Sequence, residues 1–140
     1  TVHIGRMMRS MDLFDEIKVL RYAMIGYWGL PSFNPVVMPC AKLLEMATQG
    51  GANAIGHGDI LGTVEEGKKA DLILLNIDQP HILPTQNLVN TIVDAASSHD
   101  VTDSIIGKLV MKDREVLTLD EEKIMFEADR HMKEIIKRAY

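Results

Sequence analysis

Gly62-Thr63-Val64-Glu65-Glu66-Gly67-Lys68-Lys69-Ala70-Asp71-Leu72-Ile73-Leu74-Leu75 decides how the rest of the chain is read. Gly62, Gly67 and Lys68 have the G-x-x-x-x-G-K spacing of a phosphate-binding loop. Three features reject that assignment. Lys69 follows the lysine, so no hydroxyl is placed for Mg²⁺. Glu65 and Glu66 put negative charge where a phosphate would sit. The glycine turn also leads into Leu72-Ile73-Leu74-Leu75-Asn76-Ile77, a short apolar run of β character, whereas a phosphate loop opens a helix. The stretch therefore predicts a tight turn with positive φ at Gly67, solvated Lys68 and Lys69, and a buried strand.

Upstream the texture is helical. Ser10 to about Trp28 is expected as one helix, with Ser10 as N-cap, Asp12, Asp15 and Glu16 early, and a stripe of Leu13, Ile17, Leu20 and Met24 joined by Phe14 and Tyr27. Tyr27 and Trp28 are read as packing residues rather than as binders of a heteroaromatic substrate. Met38 to Gly50 reads as a second helix, opened by Pro39 and closed by Gly50-Gly51, with Thr48 bonded to local backbone. His57 falls in a loop.

Downstream, Asp71 is read as an acceptor for turn amides, and His81, between Pro80 and Pro84, as a structural loop residue. Asn90 to Ser98 predicts helical turns packed by Ile92, Val93 and Ala96. Val101–Ile106 and Lys108–Lys112 predict a hairpin about Gly107, with a further turn at Asp113-Arg114. Because Ile106 is β-branched, a bulged or longer connection is expected there in place of a type I′ turn. Thr118-Leu119-Asp120-Glu121 reads as a capping box. It would open a terminal helix with the stripe Ile124, Ala128, Met132, Ile135 and Ala139, and with His131 exposed.

The Gly62–Leu74 segment resembles the G-x-x-x-x-G-K-x-A-D-L strand near the C-terminus of metal-dependent amidohydrolases. Further pieces fall in the same order: Asp12-Leu13-Phe14-Asp15-Glu16, Glu45-Met46-Ala47-Thr48 with Gly51-Ala52, Pro80-His81 with Pro84, Ala95-Ala96 with Asp100-Val101, and Gly107-Lys108 through Leu117-Thr118-Leu119-Asp120-Glu121-Glu122. Together they resemble the deaminase and chlorohydrolase branch: S-adenosylhomocysteine, methylthioadenosine or 5′-deoxyadenosine deaminases, and s-triazine hydrolases such as N-ethylammeline chlorohydrolase. The resemblance implies an α+β fragment forming the closing third of such an enzyme. Residues 1–58 would supply the last helices of the (β/α)₈ barrel, 59–118 part of the composite β-sandwich, and 119–140 a C-terminal amphipathic helix. A complete barrel needs about 250 residues, more than the 140 present.

The resemblance also implies chemistry. In such enzymes a divalent metal (Zn or Fe), held by an H-x-H pair, another histidine and an aspartate, activates water. That water attacks a ring carbon bearing an amine or a halide, and the glutamate of an H-x-x-E motif moves protons. Where the family carries its late metal aspartate, this chain reads Thr1-Val2-His3-Ile4-Gly5-Arg6-Met7-Met8-Arg9, with His3 the nearest donor. A lone histidine does not make a site that needs about three converging ligands. The chain is taken to lack the H-x-H pair, the H-x-x-E pair and any Ser/His/Asp or Cys/His set. It is therefore expected to carry no catalytic and no metal-binding residue, with the metal confined to a full-length parent and substrate contacts unassigned.

Composition narrows the partners. The net charge of −5 offers no footprint for nucleic acid. No segment reads as a membrane span, signal or transit peptide, and the single cysteine, Cys40, suits a reducing compartment, so a cytoplasmic location is expected. The expected partners are the barrel portion of the same enzyme and further copies of the chain. The alternative class is a non-catalytic α+β module for oligomerisation or interaction, whose apolar helix faces favour dimers and whose nine methionines suit adaptable packing.

Overall fold

A computed structural model describes residues 11–34 and 36–139. The chain is α+β, with a helical layer and a four-stranded antiparallel sheet. Residues 1–10, including His3 and the expected cap Ser10, lie outside the described residues.

Helix α1 spans Leu13–Met24 and continues as a π-helical turn over Ile25–Gly29. Its cap is Asp12, not Ser10. One Asp12 oxygen accepts the Phe14 N–H at 2.9 Å and the other accepts the Ser98 N–H at 2.8 Å. The same carboxylate thus starts α1 and ties it to a segment 86 residues away, which no local cap signal could announce. Burial pushes the Asp12 carboxyl up, but the Ser98 and Phe14 hydrogen bonds and the Lys18 charge outweigh it and hold the group below the ordinary value of 3.8.

Helix α2 covers Cys40–Ala47, with Pro39 before it, and α3 covers Gln49–Ala54. The expected stop at Gly50-Gly51 is corrected. The break falls at Thr48 (φ −106°, ψ −92°), whose hydroxyl donates to the Leu44 carbonyl at 2.8 Å. That bond is the local one expected of Thr48, and it shares the Leu44 carbonyl with the Thr48 N–H at 3.0 Å. Both glycines then sit inside α3.

Helix α4, Leu88–Ala95, is capped by the Asn87 side chain on the Asn90 N–H at 3.1 Å. It packs against α1 and α2 to close the core of Ile17, Cys40, Leu43 and Val93, flanked by Leu20, Met38, Leu44 and Ala47.

Strands β1 (Asp71–Leu75), β2 (Val101–Ile106), β3 (Leu109–Lys112) and β4 (Glu115–Val116) lie in the order β1-β2-β3-β4. Asp71 pairs with Ile106 and Leu74 with Asp103, and the register slips by a bulge at Leu74/Leu75. A second irregularity at Ser104/Ile105 adjoins the Gly107 turn, as the β-branched Ile106 requires. The tight positive-φ pair lies one turn later, at Asp113 (φ 48°) and Arg114 (φ 69°), joining β3 to β4. Strand β1 is less buried than the apolar run suggests, with Ile73 and Leu74 each 52% exposed. Ile73 and Leu74 are consecutive and point to opposite faces of the sheet, so neither face is fully covered at this strand.

The turn before β1 has the expected positive φ at Gly67 (+89°). Its amides are held by backbone acceptors, Lys68 N–H on Glu65 O at 3.2 Å and Lys69 N–H on Ile60 O at 2.9 Å, so the expected role for the exposed Asp71 carboxylate is corrected. Lys68 is corrected too. Its ammonium reaches the Gly58 carbonyl at 3.3 Å and Gln49 Oε1 at 3.4 Å, clasping the loop to α3.

The two turn glycines make a testable contrast. A Cβ on Gly67 meets nothing within 4 Å, so Gly67→Ala should cost about 1–2 kcal/mol from φ alone. A Cβ on Gly62 (φ +96°) would lie 2.7 Å from Gln49 Cα, a backbone atom that cannot rotate away. Gly62→Ala should therefore cost more, about 2–4 kcal/mol. Urea denaturation of the two variants checks the order.

Helix α5 runs over Glu121–Ala139 and has no buried residue. Its cap is Asp120, not Thr118: Asp120 Oδ1 accepts the Lys123 N–H at 2.9 Å, and the Asp120 carbonyl accepts the Ile124 N–H at 3.0 Å. The capping-box pattern marks Thr118, two residues earlier, but Asp120 is also a favoured cap residue and its negative charge suits the positive end of the helix.

Candidate functional site

A cluster of polar side chains sits where the loop after β1 meets the start of β2. Asn76, Gln79, His81, His99, Asp100, Thr102 and Arg114 line a hollow of about 190 Å³. Its anchor is Asp100, 5% exposed. The carboxylate takes the Ser97 N–H at 2.8 Å, the Ser97 hydroxyl at 3.2 Å and His81 Nε2 at 3.0–3.1 Å. Ser97 and Asp100 form a reciprocal capping box around the 3₁₀ turn Ser98–Asp100. Burial pushes the Asp100 carboxyl up, but the His81 and Ser97 hydrogen bonds, with the His81 charge, hold it below the ordinary 3.8.

A serine, a histidine and a buried aspartate in contact invite a comparison with nucleophilic triads, and the connectivity refuses it. A triad needs the serine on one imidazole nitrogen and the aspartate on the other. Here Ser97 bonds to the carboxylate itself, so nothing withdraws its proton. The arrangement fastens a loop to a strand, in agreement with the structural role expected of His81.

The remaining histidines do not converge. Among the described residues no group of three His, Cys, Asp or Glu side chains could hold a metal ion. His57 is exposed in the loop after α3, where its backbone carbonyl accepts from Ile60 and Leu61. One sequence reading is corrected: His131-Met132-Lys133-Glu134 does have H-x-x-E spacing. The two side chains approach only to 3.9 Å on exposed α5, and Glu127 is equally far on the other side, so the spacing reflects helical periodicity rather than a proton relay. Tyr27 and Trp28 meet edge to face at 4.9 Å between centroids. They remain 72% and 56% exposed, so the packing expected of them is limited to each other.

A second, apolar groove of about 360 Å³ opens between α1, α2 and β1, lined by Leu13, Phe14, Ile17, Leu44, Ala47, Thr48, Ile73, Leu75 and Ile92. It offers Thr48 as its one hydroxyl, and that hydroxyl is already spent on Leu44. Its chemistry is that of an uncovered packing surface.

The profile of the amidohydrolase family matches residues 3–111. This chain belongs to the amidohydrolase family. It is 41% identical over 130 residues to a 5-methylthioadenosine/S-adenosylhomocysteine deaminase of Dictyoglomus turgidum, covering 92% of this chain and 29% of that protein. The fold superimposes on a zinc-bound adenosine deaminase from Xanthomonas campestris with a TM-score of 0.80 and 28% identity, over 89% of this chain and 28% of that one. Atrazine chlorohydrolase from Arthrobacter aurescens, complexed with zinc, shares the fold at a TM-score of 0.69 and 22% identity, over 81% of this chain and 25% of that one. The chain thus spans under a third of the length of these amidohydrolases.

The zinc of the two solved structures finds no set of three or more ligating side chains among the described residues of this chain. His81 and Asp100 bond to each other, and among the described residues no third His, Cys, Asp or Glu joins them in a group that could hold a metal ion. Those donors do not fit a catalytic metal.

Proposed function

We propose that this chain is the C-terminal part of a metal-dependent amidohydrolase that hydrolyses non-peptide C–N or C–halide bonds in purine-nucleoside or triazine-like rings. The observation that carries the reading is the family match over most of this chain but under a third of a deaminase relative. In this reading residues 1–58 are barrel-type helices, 59–118 belong to the small sheet domain and 119–140 are the terminal helix. The metal and the catalytic residues reside on the remainder of a cytoplasmic parent enzyme, and this chain contributes packing. The uncovered groove between α1, α2 and β1 supports that division, because an apolar channel whose one hydroxyl is already bonded is what a neighbouring barrel element would fill.

The test is to extend the reading frame upstream of Thr1 and express the longer product. It should bind one divalent metal and release ammonia from S-adenosylhomocysteine, methylthioadenosine or 5′-deoxyadenosine, or halide from a chlorotriazine. The 140-residue chain alone should do neither. A metal-loaded longer product inert on all of these substrates would overturn the assignment.

The second reading is a non-catalytic α+β module for oligomerisation or interaction. It is favoured by one observation, the exposed apolar side of α5, on which Ile124, Met125, Met132, Ile135 and Ile136 are each half or more exposed. A frame beginning at or just before Thr1 would select it.

A further inference from the structure

Residues 94–100, which lead from the end of α4 into β2, are gripped from two sides. Helix α1 holds them with three side chains in descending order. Arg21 pairs with Asp94 at 3.0 Å, the Lys18 ammonium donates to the Ala96 carbonyl at 2.7 Å, and Asp12 accepts the Ser98 N–H at 2.8 Å. From the other side, the loop after β1 reaches the end of the same stretch. His81 meets the Asp100 carboxylate at 3.1 Å, and the Asn76 N–H donates to the Asp100 carbonyl at 2.8 Å.

The two sides differ in what else holds them. The buried apolar cluster, Ile17, Cys40, Leu43 and Val93, lies on α1, α2 and α4 and, among the described residues, takes none from the sheet. The bonds from Lys18 and Asp12 are charge-assisted and end on backbone atoms, so they fix the path of the chain whatever side chains it carries there. We propose that residues 94–100 are a clasp that couples the helical layer to the sheet. While it is closed, the two layers open as one unit; once it is released, the sheet opens without the helices. The coupling belongs to this chain's own residues and holds whether or not the longer protein is a hydrolase.

Hydrogen exchange of the 140-residue chain, read by mass spectrometry over Cys40–Ala47 in α2 and Val101–Ile106 in β2, tests the proposal. In the native chain the slowest amides of both segments should accelerate in parallel as urea is added below the unfolding transition. The decisive variant joins Ser98→Pro to Lys18→Met. Proline removes the N–H that Asp12 accepts, leaves Asp12 on the Phe14 N–H, and suits the first position of the 3₁₀ turn behind an extended Ser97 (φ −139°, ψ 171°). Methionine keeps an apolar stem in place of Lys18 but not the ammonium. Losing the two bonds should speed exchange in β2 by about 100-fold and leave α2 within about 2-fold. Lys18→Met alone should act in the same direction by about 10-fold, and it carries the test if the double variant does not fold. Native segments that already open separately, variant segments that accelerate by the same factor, or a variant with unchanged exchange would each overturn the clasp. Hydrolysis by the longer product is measured separately, so either idea can fail alone.

Discussion

Asp100→Ala should destabilise the chain by about 2–4 kcal/mol, the sum expected for a buried charged acceptor of several hydrogen bonds and a helix-turn cap. The substitution frees the Ser97 N–H and hydroxyl and detaches His81. Asp100→Asn keeps an acceptor for Ser97 but removes the charge, and should cost about half as much. The pH dependence has a definite sign. The folded carboxyl is held below 3.8, so its contribution is fully present above the unfolded value and is lost as pH falls through the lower folded value. Urea titrations between pH 7 and pH 2 should therefore show an acid-dependent loss in the native chain that is shallower in Asp100→Asn. Equal slopes would show that the pairing with His81 and Ser97 contributes nothing to folding.

Leu43→Ala is the second large effect, expected at about 3–5 kcal/mol. Leu43 is 0% exposed, among Ile17, Cys40 and Val93, at the junction of α1, α2 and α4. The neighbours belong to three separate helices and cannot collapse onto the gap without losing contact elsewhere. Leu43→Met keeps the volume and should cost under about 1.5 kcal/mol. Thermal melts followed at 222 nm order the pair, and similar midpoints would mean that this core is too loosely packed to register shape.

What was legible in the sequence is what local chemistry fixes. Gly67 needed positive φ because a turn had to deliver the chain into an apolar strand, and Ile106 had to avoid a type I′ turn because of its branched Cβ. Ambiguity began where two residues satisfied the same rule. Ser10 and Asp12 both suit a cap, as do Thr118 and Asp120, and in each pair the position was decided by bonds the sequence does not rank. The site was less legible still. His81 and Asp100 are 19 residues apart, and Asp12 and Ser98 are 86 apart, so no spacing rule brings either pair together. Burial was overestimated at β1 because an apolar run tells how much a strand would gain from cover, not whether cover is present.

The way α4 closes the helical core sets a clock for synthesis. Helix α2 ends at Ala47, and Leu88, the first residue of the helix that seals it, is 41 positions later. At about 5–20 residues per second, the apolar sides of α1 and α2 wait roughly 2–8 s for their lid. During that interval Leu43 and Ile17 are as available to a chaperone or a neighbouring nascent chain as they will be to Val93. Slowing translation between codons 48 and 88 should therefore lower the soluble yield of this chain more than slowing it by the same amount after codon 106, when both core and β1–β2 pairing are complete.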